Sequence, residues 1–96
     1  MSDREIMNAK YGHMKKELLF FTAQWCQPCK RFKPLMENLN QQVPVQFIDV
    51  DSNKSLAQQY EIKSVPTTIL VKGGVEISRF VGAKPISLIL ESYHNE

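Results

Sequence analysis

The chain contains two cysteines, Cys26 and Cys29, separated by a glutamine and a proline. Thiols at this spacing can be brought together by one turn of backbone, where they close a small disulfide ring or open to a dithiol. Thiol–disulfide exchange begins when a thiolate attacks a disulfide sulfur and forms a mixed disulfide. The spacing therefore predicts redox chemistry by the two sulfurs themselves, which needs no bound cofactor.

Zinc binding and a purely structural disulfide are the alternative uses of such a pair. A zinc site normally takes four ligands, and the remaining soft candidates, His13 and His94, are not paired at ligand spacing. A disulfide between residues so close in sequence closes too small a loop to stabilise a fold much. Both alternatives are weaker than a redox-active pair, and we expect no bound metal.

Length and composition indicate one domain that covers residues 1–96. The chain is 43% hydrophobic and long enough to bury a core. Its formal net charge of +2 is too weak and too mixed to favour nucleic acid. The longest run of large apolar side chains, residues 18–21, is far shorter than a membrane span. The N-terminus lacks the apolar core of a secretory signal, so we expect a cytoplasmic protein.

The pattern of apolar residues predicts alternating helices and strands. A first helix is expected near Asp3, where Ser2 and Glu5 form a capping-box pattern. Strands are expected at residues 17–22, 43–51, 67–72 and 75–81. Further helices are expected at residues 26–41, after a cap at Ser52 or Asn53, and after Pro85.

The order of these elements predicts an α/β fold. Because the first two strands are joined through a helix, they should be parallel. Helices should cover both faces of a four-stranded mixed sheet. The helix at residues 26–41 should turn an apolar stripe toward that sheet, formed by Phe32, Leu35, Met36 and Leu39.

Cys26 is expected where a strand ends and this helix begins. Unpaired backbone N–H groups and the positive end of the helix dipole favour a thiolate there. The pKa of a free cysteine, about 8.5, falls in such surroundings. Cys29, one turn further in, should be more shielded. These positions predict that Cys26 is the nucleophile, that Cys29 resolves the mixed disulfide, and that Pro28 stiffens the loop between them.

Four segments and one further proline resemble the thioredoxin family. The first segment is Trp-Cys-Gln-Pro-Cys-Lys, where the family has Trp-Cys-Gly-Pro-Cys-Lys, and the second ends at the family's cis-proline. The others resemble the family's hairpin turn and the glycine beyond it. The matching positions are residues 25–30, 60–67, 72–74 and 80–82, together with Pro34 in the kinked helix.

This resemblance implies a thioredoxin-like three-layer sandwich and a protein dithiol–disulfide oxidoreductase. Such a protein reduces protein disulfides, receives its electrons from a thioredoxin reductase, and serves electron transport and cell redox homeostasis. We expect it to be a monomer. Pro66 would be cis and would lie opposite the cysteines, and the backbone of Val65 would bond an extended substrate segment. The implied substrate surface around Cys26 consists of Trp25, Gln27, Pro28, Val65, Pro66 and Gly82.

Two other functions stay open at this point. A thioredoxin-like binding module would use the same surface without a redox cycle, although the intact cysteines argue against it. A glutaredoxin-like enzyme would use glutathione, which Trp25 and the Gln27-Pro28 pair disfavour. Basic residues near the motif either favour acidic partners or form an ordinary solvated surface. They are Lys30, Arg31, Lys33 and Lys63.

Several positions depart from the thioredoxin pattern. Phe20 and Phe47 replace a buried aspartate and the lysine across from it, which removes the proton acceptor proposed for Cys29 and leaves water or a backbone group to serve. Gln27 replaces a glycine and should shift the redox potential. Thr22 replaces a second tryptophan.

The family's first strand has no evident counterpart near the N-terminus, which resembles a shortened variant. The strand within residues 43–51 is therefore expected at an exposed edge of the sheet. Pro44, Asp49 and Asp51 should discourage its pairing with other chains.

Overall fold

Four strands and three helices follow one another in the predicted order in the computed structural model, which describes residues 15–96. The strands are β1 (Lys16–Thr22), β2 (Val45–Asp49), β3 (Thr67–Lys72) and β4 (Val75–Val81). The helices are α1 (Gln27–Leu39), α2 (Lys54–Gln59) and α3 (Ile86–Asn95). The helix predicted near Asp3 lies outside the described residues.

Strand β1 lies inside the sheet, whose order is β2-β1-β3-β4. It pairs in parallel with β2, as predicted, and antiparallel with β3, and β3 pairs antiparallel with β4. The parallel register places Phe20 beside Phe47 and Thr22 beside Asp49. Within residues 15–96, β2 has a neighbouring strand on one side only, which agrees with the predicted edge.

Helices cover both faces of the sheet, which confirms the predicted fold class. Because β1 is buried on both faces, its alternate residues enter two different cores. One core lies under α1 and α3 and includes Leu18, Phe20, Phe32, Met36, Leu70 and Ile89. The other lies under α2 and the loop that follows it, and includes Leu19, Phe21, Ile48, Tyr60 and Ile69.

Strand β2 is shorter than the predicted residues 43–51, and both of its ends have a local cause. Pro44 has no backbone N–H with which to extend the ladder. At the other end, Oδ1 of Asp49 accepts the backbone N–H of Asp51 at 2.8 Å and of Ser52 at 3.2 Å. These two bonds turn the chain out of the strand immediately after Asp49.

The helices differ from the prediction in two details. Asn53 caps α2 by position only, since its side-chain amide donates to the backbone oxygen of Asp49 at 3.0 Å instead of to the helix. The inward residues of α1 are Cys29, Phe32, Met36 and Leu39. Leu35 was wrongly predicted to point inward and is 51% exposed. It precedes Met36 by one position, which turns its side chain about 100° away from the core face.

Arg79 on β4 connects the sheet to the segment at Tyr60 and Glu61. This segment leads into the loop that lies opposite the cysteines. Its guanidinium donates to the backbone oxygens of Tyr60 and Glu61 and pairs with the carboxylate of Glu76 at 2.8 Å. Glu61 has a φ of 51°, so the chain turns sharply at this point. The Tyr60 hydroxyl donates to the backbone oxygen of Gly74, and burial raises the pKa of this phenol.

We predict that Arg79→Met lowers the free energy of unfolding by about 1–2 kcal/mol, because hydrogen bonds from a charged donor are lost. The bond from Arg79 holds the pKa of Glu76 below its ordinary 4.5. A lowered carboxyl pKa stabilises the fold above the unfolded pKa, and this contribution disappears as the pH falls through the folded value. Urea unfolding at several pH values should therefore show a weaker loss of stability on the acid side in Arg79→Met.

The matched control for this prediction is Arg31→Met, since Arg31 is exposed and makes no ion pair within residues 15–96. Its stability should follow the parent protein at every pH. An Arg79→Met protein with the parent's acid dependence would contradict the role given to Arg79.

Candidate active site

The loop between β1 and α1 places Cys26 at the N-cap of the helix, as predicted. The backbone N–H of Cys29 donates to the Sγ of Cys26 at 3.2 Å, so a sulfur takes the place that a serine or aspartate oxygen usually occupies. Cys26 and Cys29 form a disulfide, and their Cα atoms are 5.2 Å apart. Pro28 lies in the first turn of α1, where a missing N–H costs no helical bond.

The two sulfurs differ in their surroundings. Cys29 is 1% exposed, and Ala23, Val50 and Val65 pack around the pair. Cys26 is 5% exposed and borders the surface, where Gln27 is exposed. Cys26 is therefore the outer sulfur and Cys29 the inner one.

A loop that contains a cis peptide bond faces the cysteines. The bond between Val65 and Pro66 is cis, as the resemblance implied. The backbone oxygen of Val65 lies 3.6 Å from the Sγ of Cys26, and that of Pro66 accepts the N–H of Gly82 at 2.8 Å. Gly82 has a φ of 87°, and a Cβ there would meet no atom within 4 Å. Glycine is thus required by backbone conformation and not by crowding within the protein.

Trp25 extends the same surface, and its indole is fixed by a partner that the sequence did not reveal. The side chain is 66% exposed, and its Nε1 donates to a carboxylate oxygen of Asp51 at 2.9 Å. A shallow cavity of about 120 Å³ lies beside the ring. It is lined by Trp25, Val50, Ile62, Lys63, Ser64 and Val65.

Of the predicted surface residues, Val65 contacts Cys26, Gly82 bonds to Pro66, and Trp25, Gln27 and Pro28 flank Cys26 in the chain. Their role in substrate binding stays a prediction. Three residues beside Trp25 were missed, namely Asp51, Val50 and Ile62. Asp51 was predicted only to discourage pairing of the edge strand with other chains, and neither Val50 nor Ile62 was predicted to lie at the site. Asp51 is distant from Trp25 in sequence, so only the parallel pairing of β1 with β2 could have indicated their contact.

The sheet surface beneath α1 is aromatic, as predicted from the departures. Phe20 is fully buried, and its ring meets those of Phe47 and Phe32 edge-to-face with centroids 5.7 Å and 5.9 Å apart. Such pairs contribute about 0.5–1.5 kcal/mol beyond the area they bury. Neither Phe20 nor Phe47 can exchange a proton with Cys29.

Residues 15–96 show neither a cluster of metal ligands nor a helix that could span a membrane. In this part of the chain, no three His, Cys, Asp or Glu side chains converge as metal ligands would. None of its helices has the length and hydropathy needed to cross a membrane.

Comparison with known proteins assigns the chain to a family. The sequence model named Thioredoxin matches residues 3–94. The chain belongs to the thioredoxin family. With its disulfide pair, this membership makes it a dithiol–disulfide oxidoreductase.

Individual thioredoxins agree with this assignment. The chain is 43% identical over 70 residues to the thioredoxin of Chlamydia pneumoniae. The matched residues cover 70% of this chain and 69% of that protein. It is 39% identical over 80 residues to the bifunctional thioredoxin reductase/thioredoxin of Mycobacterium leprae, covering 79% of this chain and 18% of that protein. The crystal structure of Fasciola hepatica thioredoxin superposes with a TM-score of 0.76 at 32% identity, over 96% of this chain and 88% of that one.

We predict that Asp51→Ala frees the indole of Trp25, because the mutation removes its hydrogen-bond acceptor. Trp25 is the chain's single tryptophan, so intrinsic fluorescence reports on it alone. Acrylamide quenching should increase, while the free energy of unfolding changes by less than about 1 kcal/mol at this exposed site. Glu37→Ala, which removes an exposed carboxylate from α1, is the control, and equal quenching in both variants would argue against the contact.

Proposed function

We propose that this thioredoxin reduces protein disulfides with Cys26 as nucleophile and Cys29 as resolving residue. The observation that carries these roles is the N-cap position of Cys26. The backbone N–H groups and the positive end of α1 stabilise a thiolate at Cys26, and its sulfur is the outer one. Cys29 lies behind it, bonded to its Sγ and only 1% exposed.

The proposed cycle transfers two electrons from the cysteine pair to the substrate. The Cys26 thiolate attacks one sulfur of the substrate disulfide, and the other sulfur leaves as a thiolate that takes up a proton. Cys29 then loses its proton and attacks the Sγ of Cys26, which releases the second substrate sulfur. The product is the Cys26–Cys29 disulfide, which a reductase must reduce before the next turnover.

The proposed docking surface consists of Trp25, Gln27, Pro28, Val65, Pro66 and Gly82. The cavity beside Trp25, about 120 Å³, is smaller than the roughly 300–1,000 Å³ of small-molecule sites. An extended polypeptide segment, paired with the backbone of Val65 and placing one side chain in this cavity, suits its shape better than glutathione does. The open space beside Gly82 leaves room for that segment.

The electron donor, assembly state and compartment are inferred more indirectly. The mycobacterial relative is named as a thioredoxin reductase joined to a thioredoxin, which supports a thioredoxin reductase as the donor here. We further propose a cytoplasmic monomer that carries electrons in cell redox homeostasis without a bound cofactor. The small net charge of +2 supports a protein that binds neither nucleic acid nor membrane.

Replacement of each cysteine tests the proposed roles. Cys26→Ser should abolish insulin-disulfide reduction supported by dithiothreitol or a thioredoxin reductase. Cys29→Ser should instead stop after the first attack and accumulate a mixed disulfide that mass spectrometry detects. A binding module would keep its function after both replacements, and a glutaredoxin-like enzyme would be active in a glutathione-coupled assay.

Replacement of glycine tests the docking surface. Gly82→Ala and Gly73→Ala should each cost about 1–2 kcal/mol of stability, because both positions have positive φ, 87° and 60°. Only Gly82→Ala should lower kcat/KM for insulin more than it lowers the rate with a small aromatic disulfide. Equal effects of the two variants on the insulin reaction would argue against docking at Gly82.

A further inference from the structure

Resolution of the mixed disulfide requires a proton to leave Cys29 from mostly apolar surroundings. The thiolate is the attacking form, and an adjacent proton acceptor accelerates such a step. Ala23, Val50 and Val65 pack around the cysteine pair, and Phe20 and Phe47 form the sheet surface beneath α1. On these sides no group can accept the proton.

One side of Cys29 is different. A cavity of about 580 Å³ lies between α1 and the ends of β1 and β2, and Cys29 is part of its wall. Three of the other lining side chains, those of Gln24, Lys30 and Lys33, are exposed, so the cavity communicates with solvent. The lining consists of Thr22, Ala23, Gln24, Cys29, Lys30, Lys33, Phe47 and Asp49. Its volume and polar groups are sufficient to hold several water molecules.

The register of the sheet explains why a cavity exists at this place. Thr22 and Asp49 are partners in the parallel β1–β2 pair, one step beyond the pair of Phe20 and Phe47, and both pairs face α1. The thioredoxin pattern has a tryptophan where this chain has Thr22. Thr22 lines the cavity beside Cys29, and a tryptophan at this position would occupy much of that volume.

Asp49 contributes the single carboxylate among the lining residues. The other charged groups that face the cavity are Lys30 and Lys33 from α1, and β1 contributes none. Oδ1 of Asp49 is fixed by the backbone N–H groups of Asp51 and Ser52, which leaves Oδ2 unused by these two bonds. The carboxylate is therefore oriented, half-buried and connected to Cys29 by the same cavity.

We propose that Asp49, acting through water in this cavity, accepts the proton that Cys29 loses when it resolves the mixed disulfide. The proton passes from Sγ of Cys29 through water to the carboxylate, and from there to solvent. The bond between Cys26 and the substrate sulfur breaks as the Cys26–Cys29 bond forms, and the leaving thiolate takes up a proton from solvent. Lys30 and Lys33 stabilise the negative charge on Cys29. The proposal rests on the roles assigned above to Cys26 and Cys29.

Stopped-flow reaction of the reduced protein with dithiobis(nitrobenzoate) separates the two steps. Attack by Cys26 releases the first coloured thiolate, and attack by Cys29 releases the second. Asp49→Asn keeps the oxygen that accepts the two backbone N–H groups but loses the basicity of the carboxylate. It should slow the second phase about tenfold or more near neutral pH, in line with general-base contributions, and leave the first phase unchanged. The difference should shrink as the pH is raised, because hydroxide then replaces the carboxylate as the proton acceptor.

Thr22→Trp tests the same path without changing a charge. The indole should fill the cavity and displace the water, so the second phase should slow in this variant too. Combined with Asp49→Asn it should add little, because both changes interrupt one path. Glu37→Gln, which removes an exposed carboxylate outside the cavity, should leave both phases at the parent rates.

Three results would overturn the proposal. One is an Asp49→Asn protein with the parent's second phase at every pH, and another is equal slowing of both phases. The third, which also decides the matter if Asp49→Asn does not fold, is a Thr22→Trp protein whose second phase is unaffected. Failure of the proposed function is distinguishable by the first phase. Under the assigned roles Cys26→Ser should react with the reagent far more slowly than Cys29→Ser, and a Cys26→Ser protein that reacts as fast as the parent's first phase would contradict those roles.

Discussion

The backbone N–H of Cys29 donates to the sulfur of Cys26, and this contact exists only because Cys26 is the N-cap of α1. The position of the helix start depends in turn on β1, which is buried on both faces and fixed by strands on both sides. A strand fixed in this way also fixes the position of the loop that follows it, at the carboxyl end of β1. The outer and inner positions of the two sulfurs, and hence their different chemistry, follow from that placement.

The loop with the cis Val65-Pro66 bond, which lies opposite the cysteines, is held by a separate set of contacts. Arg79 and Glu76 anchor the backbone at Tyr60 and Glu61, and Gly82 anchors that of Pro66. These contacts come from β4 and the turn after it, at the opposite edge of the sheet from β2. The active site is therefore a junction between a helix start and an independently fixed loop, and the sheet sets the distance between them.

Local signals in the sequence were sufficient for the order of the elements, the pairing of β1 with β2 and the N-cap position of Cys26. The details that the sequence missed depend on contacts between distant residues. The exposure of Leu35 depends on which residues of α1 the core accepts, and the bond from Trp25 to Asp51 depends on where β2 ends. The cavity beside Cys29 likewise arises from three elements together, and none of them predicts it alone.

Where the thioredoxin pattern implies a buried aspartate and lysine, this chain has Phe20 and Phe47, and the difference has opposite consequences for stability and for chemistry. Burial of a phenylalanine contributes about 1.5–3 kcal/mol, whereas a buried ion pair often contributes nothing net. The aromatic pair thus favours the core but removes a proton acceptor from beneath α1. Because β1 and β2 are parallel, their carboxyl ends lie side by side. The next register pair, Thr22 and Asp49, lies at these ends, where the loop that carries the cysteines also begins. A carboxylate at that edge can remain hydrated, so proton exchange with Cys29 does not require a charge in the core.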